Sequence, residues 1–139
     1  MTIAASILAG LIGAVSAGGA PAAEFGKAHA VGCYANYVPL LNRDGAQIDR
    51  LAPGEEKDVL TEESVFWSAR VGAFSENEED AELDRQLAGA QRALALARTV
   101  LTTGPQDAQS DMTGALAQCR TDRSAIEAET SEPAEPTDG

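Results

Sequence analysis

The sequence predicts an all-α fold, a compact bundle of about four helices in which a disulfide joins the first helix to the last. Three observations lead there. Apolar residues recur at three- and four-residue intervals through most of the chain, turn-forming Gly and Pro residues separate those segments, and the only two cysteines, Cys33 and Cys119, lie on apolar stripes of the outermost helices. At 139 residues a single domain is expected. Its parts are a signal peptide over residues 1–22, a helical domain over 24–126 and a disordered acidic tail over 127–139.

The opening stretch "MTIAASILAGLIGAVSAGGAPAAEF" has an apolar run over residues 3–15, then small residues, and no charged side chain before Glu24. That is the layout of a secretory signal. Small residues suit cleavage after Ala17 or Ala22. The positive residues that normally precede the apolar run are missing, so the alternative is an uncleaved anchor over residues 3–23. Membrane association is expected only in that case.

In "AHAVGCYANYVPLL", residues 28–41, the residues Ala30, Cys33, Tyr34, Tyr37 and Leu41 form the stripe of the first helix. Pro39 disfavours helical geometry at Val38 and removes a backbone donor, which predicts a kink or stop there. "NRDG", residues 42–45, reads as a turn, and Ile48 with Leu51 reads as one further helical turn.

After Pro53 and Gly54, the acids Glu55 and Glu56 suit the positive end of a helix dipole. Leu60, Ser64, Trp67, Val71 and Phe74 then mark the second long helix. The alternation of Val65, Trp67, Ala69 and Val71 would suit a strand, but Phe66 breaks it.

Residues 75–105 carry the longest pattern. Ser75 and Glu78 fit a capping box, and the acids of "ENEED", residues 76–80, crowd the first turn. The spacing of Leu83, Leu87, Ala90, Leu94, Ala97 and Leu101 predicts one packing face, with the alanines admitting a close neighbour, before Gly104 and Pro105 end the helix. The acids lack the loop spacing and turn glycine of an EF-hand. A last helix over residues 107–128 places Met112, Leu116, Cys119 and Ile126 on one side, with Arg123 in line with them. The following "EAETSEPAEPTDG" is too polar to offset the entropy of ordering it.

The cysteines decide the chemistry. Export puts Cys33 and Cys119 in an oxidising compartment, where two cysteines predict one disulfide. Four alternatives compete with it. "AVGC", residues 30–33, resembles a lipidation box, but Glu24, Lys27 and His29 interrupt the apolar run before it. His29 and Cys33, four residues apart, would share a helix face and could form an imidazole-activated thiolate. With Cys119 and Asp122 they could instead form a metal site. A noncovalent haem would need His29 to face Met112.

"LTEES", residues 60–64, is similar to the L-T-x-x-Q element of periplasmic stress chaperones over these five residues, with Ser64 in the glutamine's place. No function is carried over from it. The chain has no serine elbow, phosphate loop or C-x-x-C-H haem motif. With 22 Asp plus Glu against 10 Lys plus Arg, nucleic acid is an unfavourable partner.

The sequence therefore predicts an exported, periplasmic or secreted, non-enzymatic module of the bacterial cell envelope. It would bind or modulate another envelope or extracellular protein, with the acidic faces of the second and third helices as candidate surfaces. The alternatives are a metal- or haem-binding bundle, and a membrane-anchored structural protein whose long helix assembles with copies of itself. No catalytic residue, cofactor or metal ligand is assigned; the assigned pair is the disulfide Cys33 and Cys119.

Overall fold

The computed structural model describes residues 25–130, and among them all regular structure is helical. The order is α1 (Lys27–Gly45), α2 (Ile48–Leu51), α3 (Lys57–Phe74), α4 (Glu78–Thr102) and α5 (Pro105–Thr130). The signal-peptide residues 1–22, and residues 131–139 of the acidic tail, lie outside this range, whereas residues 127–130 continue α5. No helix among the described residues is long and apolar enough to cross a membrane. Two units divide the chain. Gly26–Cys119 forms one; Phe25 and α5 from Arg120 onward belong to the other.

Helix α1 is the centre of the first unit. Ala30, Cys33, Ala35, Asn36, Tyr37, Pro39 and Leu40 are all buried, so over residues 33–40 the burial is wider than one stripe, while Ala28 and Gly32 in the first turns are exposed. Both α3 and α4 pack against it. Helix α3 contributes Leu60, Trp67 and Val71 to the core, and the Trp67 ring meets His29 of α1 edge-on at 5.4 Å between centroids. The buried Tyr37 hydroxyl donates to Glu63 Oε1 at 3.0 Å. The strand alternative over Val65–Val71 does not form, because the three-to-four spacing buries Trp67 and Val71 together on a helix.

Pro39 does not end α1. The chain stays helical through Leu41 and turns only at Asn42, Arg43 and Asp44, within the expected "NRDG" turn. Pro39 and Leu40 are buried, and the packing on both sides of them outweighs the one backbone hydrogen bond that proline removes. Arg43 and Asp44 adopt φ of 55° and 61°, and the Ala46 amide closes the turn by donating to the Asn42 and Arg43 carbonyls.

The cap of α4 also differs from expectation. Asn77 is the cap, its side-chain oxygen accepting from the Asp80 amide at 2.8 Å, while Ser75 Oγ donates back to the Val71 carbonyl and closes α3. The link between the two helices is only three residues long, so each polar residue serves the helix it lies nearer.

Within α5, Met112, Leu116 and Cys119 are buried, as expected, and Ala108 is buried with them. Cys33 and Cys119 form a disulfide with Cα atoms 5.8 Å apart, joining α1 to α5. Gln109 Nε2 donates to the Arg50 carbonyl at 2.8 Å, tying α5 to α2. In the second unit Ile126 is buried, and Arg123 pairs with Glu127 at 2.9 Å along α5.

Gly89 sets how closely α4 approaches α1. A Cβ there would lie 2.8–2.9 Å from the Cβ and both methyls of Val38, a β-branched and therefore stiff side chain.

Two stability effects are expected. Reducing the disulfide, whose sequence separation is 86, lowers the unfolding free energy by about 4 kcal/mol. Urea titrations with and without reductant measure it. Gly89→Ala costs about 1–2 kcal/mol despite the better helix propensity of alanine, and adding Val38→Ala recovers part of the loss. A double-mutant cycle from the same titrations checks that coupling.

Candidate protein-docking face

A buried polar chain links the disulfide to the surface. Asn36, enclosed in α1, directs Nδ2 toward Cys119 Sγ at 3.6 Å and accepts from Arg92 Nε at 2.7 Å. Arg92 in turn binds Asp111 with both terminal nitrogens, at 3.3 and 3.0 Å. Residues of α1, α4 and α5 are thereby fixed around one amide.

A second knot holds α3 to α4. Arg85 is buried and donates to Glu78 at 2.6 Å, Glu82 at 3.2 Å and the Ser68 carbonyl at 2.9 Å. The Glu78 hydrogen bond leads the interactions that raise the Arg85 pKa, so the group stays charged. Lys27 of α1 reaches Asp84 of α4 at 2.7 Å, and that hydrogen bond raises its pKa too.

These contacts set the rotation of α4 and correct the expected packing face. Ala81, Arg85, Gly89 and Leu96 point inward. The six-residue stripe read as a packing face points outward: Leu83 is 62 % exposed, Leu87 55 %, Leu94 57 % and Leu101 85 %, and Ala90 and Ala97 are exposed between them. At 100° per residue the stripe lies almost opposite the buried face. The physical reason is the close approach at Gly89. Leucines on that side would hold α4 away from α1 and break the Arg85 and Arg92 contacts.

The exposed stripe runs about 27 Å along the helix. Exposed apolar residues of α3, including Val59, Val65 and Phe74, lack that continuity, and Phe74 is capped by the Arg70 guanidinium at 5.1 Å. Beside the stripe lies a cleft of about 250 Å³ whose walls include Pro39, Leu51, Ala93, Leu96, Ala97 and Val100. A second cleft of about 320 Å³ is lined by Tyr34, Tyr37, Val38, Leu41, Arg43 and Ser64, among others. Burial raises the Tyr34 pKa, so that phenol is neutral at pH 7.

His29 Nε2 lies 3.9 Å from Cys33 Sγ, so the sequence spacing does bring them together. Both sulfurs are bonded to each other, so in the oxidised protein neither supplies the thiolate that a nucleophile or a zinc ligand requires. Met112 is completely enclosed, while the His29 ring rests against Trp67.

Compared with protein-family models, curated proteins and solved structures, the chain matches none.

The two faces of α4 respond differently to charge. Leu94→Asp leaves the folding stability of the isolated chain within about 0.5 kcal/mol, whereas Leu96→Asp, which buries a carboxylate, costs about 3 kcal/mol or more. Urea denaturation at high dilution separates them.

Proposed function

We propose that this chain is a non-enzymatic binding module of the bacterial cell envelope, exported to the periplasm or beyond by its N-terminal segment. Its docking surface is the outer face of α4. The observation that carries the reading is the stripe of Leu83, Leu87, Leu94 and Leu101, all more than half exposed on one line of a single helix. An apolar row of this length on a helix anchored on its other side suits helix-to-helix recognition of another protein.

Compartment and surface fit together. The disulfide is the cross-link expected of a protein that leaves the reducing cytosol, and it braces a small core without occupying the exposed stripe. The net charge of −12 keeps the molecule soluble around an apolar face of this size. The acidic residues flanking the start of α4 then act as a rim that selects among partners more than it adds affinity.

Affinity capture from a native envelope extract tests the reading, using wild type and the Leu87→Asp/Leu94→Asp double variant. The expected result is a protein, a further copy of this chain included, retained by the wild type and lost by the variant while its circular dichroism is unchanged. Equal retention by both, or repeated absence of any retained protein, overturns it.

A further inference from the structure

We infer that the occupant of the α4 stripe is a second copy of this chain, bound antiparallel through α4 about a two-fold axis that crosses the stripe between Ala90 and Leu94. The inference rests on the reading of that stripe as a docking face and names its partner.

The first argument is register. Leu83, Ala90 and Ala97 repeat every seven residues, as do Leu87, Leu94 and Leu101, and the two series interleave at intervals of four and three. That is the seam of a two-helix coiled coil, in which side chains of one helix fill holes on the other. All six residues are exposed, so no other described element occupies the seam.

The second argument is complementarity of size. When the second copy is turned end for end, Leu83 meets its Leu101, Leu87 meets its Ala97 and Ala90 meets its Leu94. Every residue of the stripe has a counterpart, and the inner layers pair one large side chain with one small one. Alanine in each inner layer lets the axes approach toward the short end of the 8–10 Å range seen for packed helices. A parallel pair in register would set alanine on alanine in two layers and leave gaps between the leucines.

The third argument is charge. On one flank of the seam lie Asp84, Gln91 and Arg98. In the antiparallel pair Asp84 of each copy lies beside Arg98 of the other, twice by symmetry, and Gln91 lies beside its own counterpart. The Lys27 ammonium already holds Asp84 through Oδ2, which fixes the carboxylate at the edge of the seam. A parallel pair would place Glu79 beside Asp84 of the other copy, twice by symmetry, and set Asp80 against its own counterpart in the seam. On the opposite flank, which begins with Glu79, the antiparallel pair sets Ala93 near its counterpart and Gln86 near Val100 and brings no like charges together.

Sedimentation velocity of the purified full chain over a concentration series, with the N-terminus fixed by intact mass, provides the first test. The wild type is expected to pass from monomer to dimer, and Leu94→Asp to remain monomeric. Charge exchange reports orientation. Asp84→Arg and Arg98→Asp are each expected to weaken self-association about tenfold, and a mixture of the two to associate better than either alone, because the mixed dimer restores both pairs. Mild oxidation of cysteine variants gives an independent readout: Leu83→Cys is expected to cross-link to Leu101→Cys and not to itself.

A chain that stays monomeric at every concentration overturns the proposal, as does self-cross-linking of Leu83→Cys, which marks a parallel pair. If the monomer nevertheless retains a different protein that the Leu87→Asp/Leu94→Asp variant loses, the docking face stands and only the second copy is excluded. A monomer that retains nothing removes both.

Discussion

The structure of residues 26–119 depends on the burial of α1 over residues 33–40, none of which is exposed. A helix enclosed in this way leaves its neighbours little freedom, because each must present a surface matched to a different part of one cylinder. The polar group within it narrows the choice further. Asn36 cannot be enclosed without partners, and it finds them in the Cys119 sulfur and the Arg92 side chain. One amide therefore relates α4 and α5 to α1, and the Cys33–Cys119 bond fixes the same junction covalently.

The orientation of α4 follows from that junction. Arg92 must reach Asn36 and Asp111, Arg85 must reach Ser68 on α3, and Gly89 must lie against Val38. All three requirements turn the small and basic residues of α4 inward. Because the leucines recur on the opposite side of the same helix, they are left outside. The exposed apolar stripe is thus a consequence of how the core is closed, and any surplus apolar surface of that extent must be covered by another molecule or tolerated as an aggregation risk. The high negative charge opposes the second outcome without covering the stripe.

The proposed docking face lies on the back of a core helix. Its six residues lie on 25 residues of continuous helix anchored by two arginine clusters, so little order has to be gained on binding. His29, Cys33 and Trp67 do meet, but as a packed corner beside a disulfide.

Sequence alone determined the helical class, the positions of the turns at Asn42–Gly45 and Gly104, the core residues Trp67, Val71, Met112 and Leu116, and the pairing of the two cysteines. These follow from local periodicity, from backbone chemistry at glycine and from there being only one possible pair. Tertiary structure decided which face of α4 is inside, that Pro39 lies within a helix, and that Asn77 instead of Ser75 caps α4. Apolar periodicity in α4 marks a stripe suited to burial but carries no information on what buries it. The competing face, with Ala81, Arg85, Gly89 and Arg92, looks unsuited to a core until Val38, Ser68, Asn36 and Asp111 are brought beside it. Those partners come from distant parts of the chain, and their positions are set by the packing around α1.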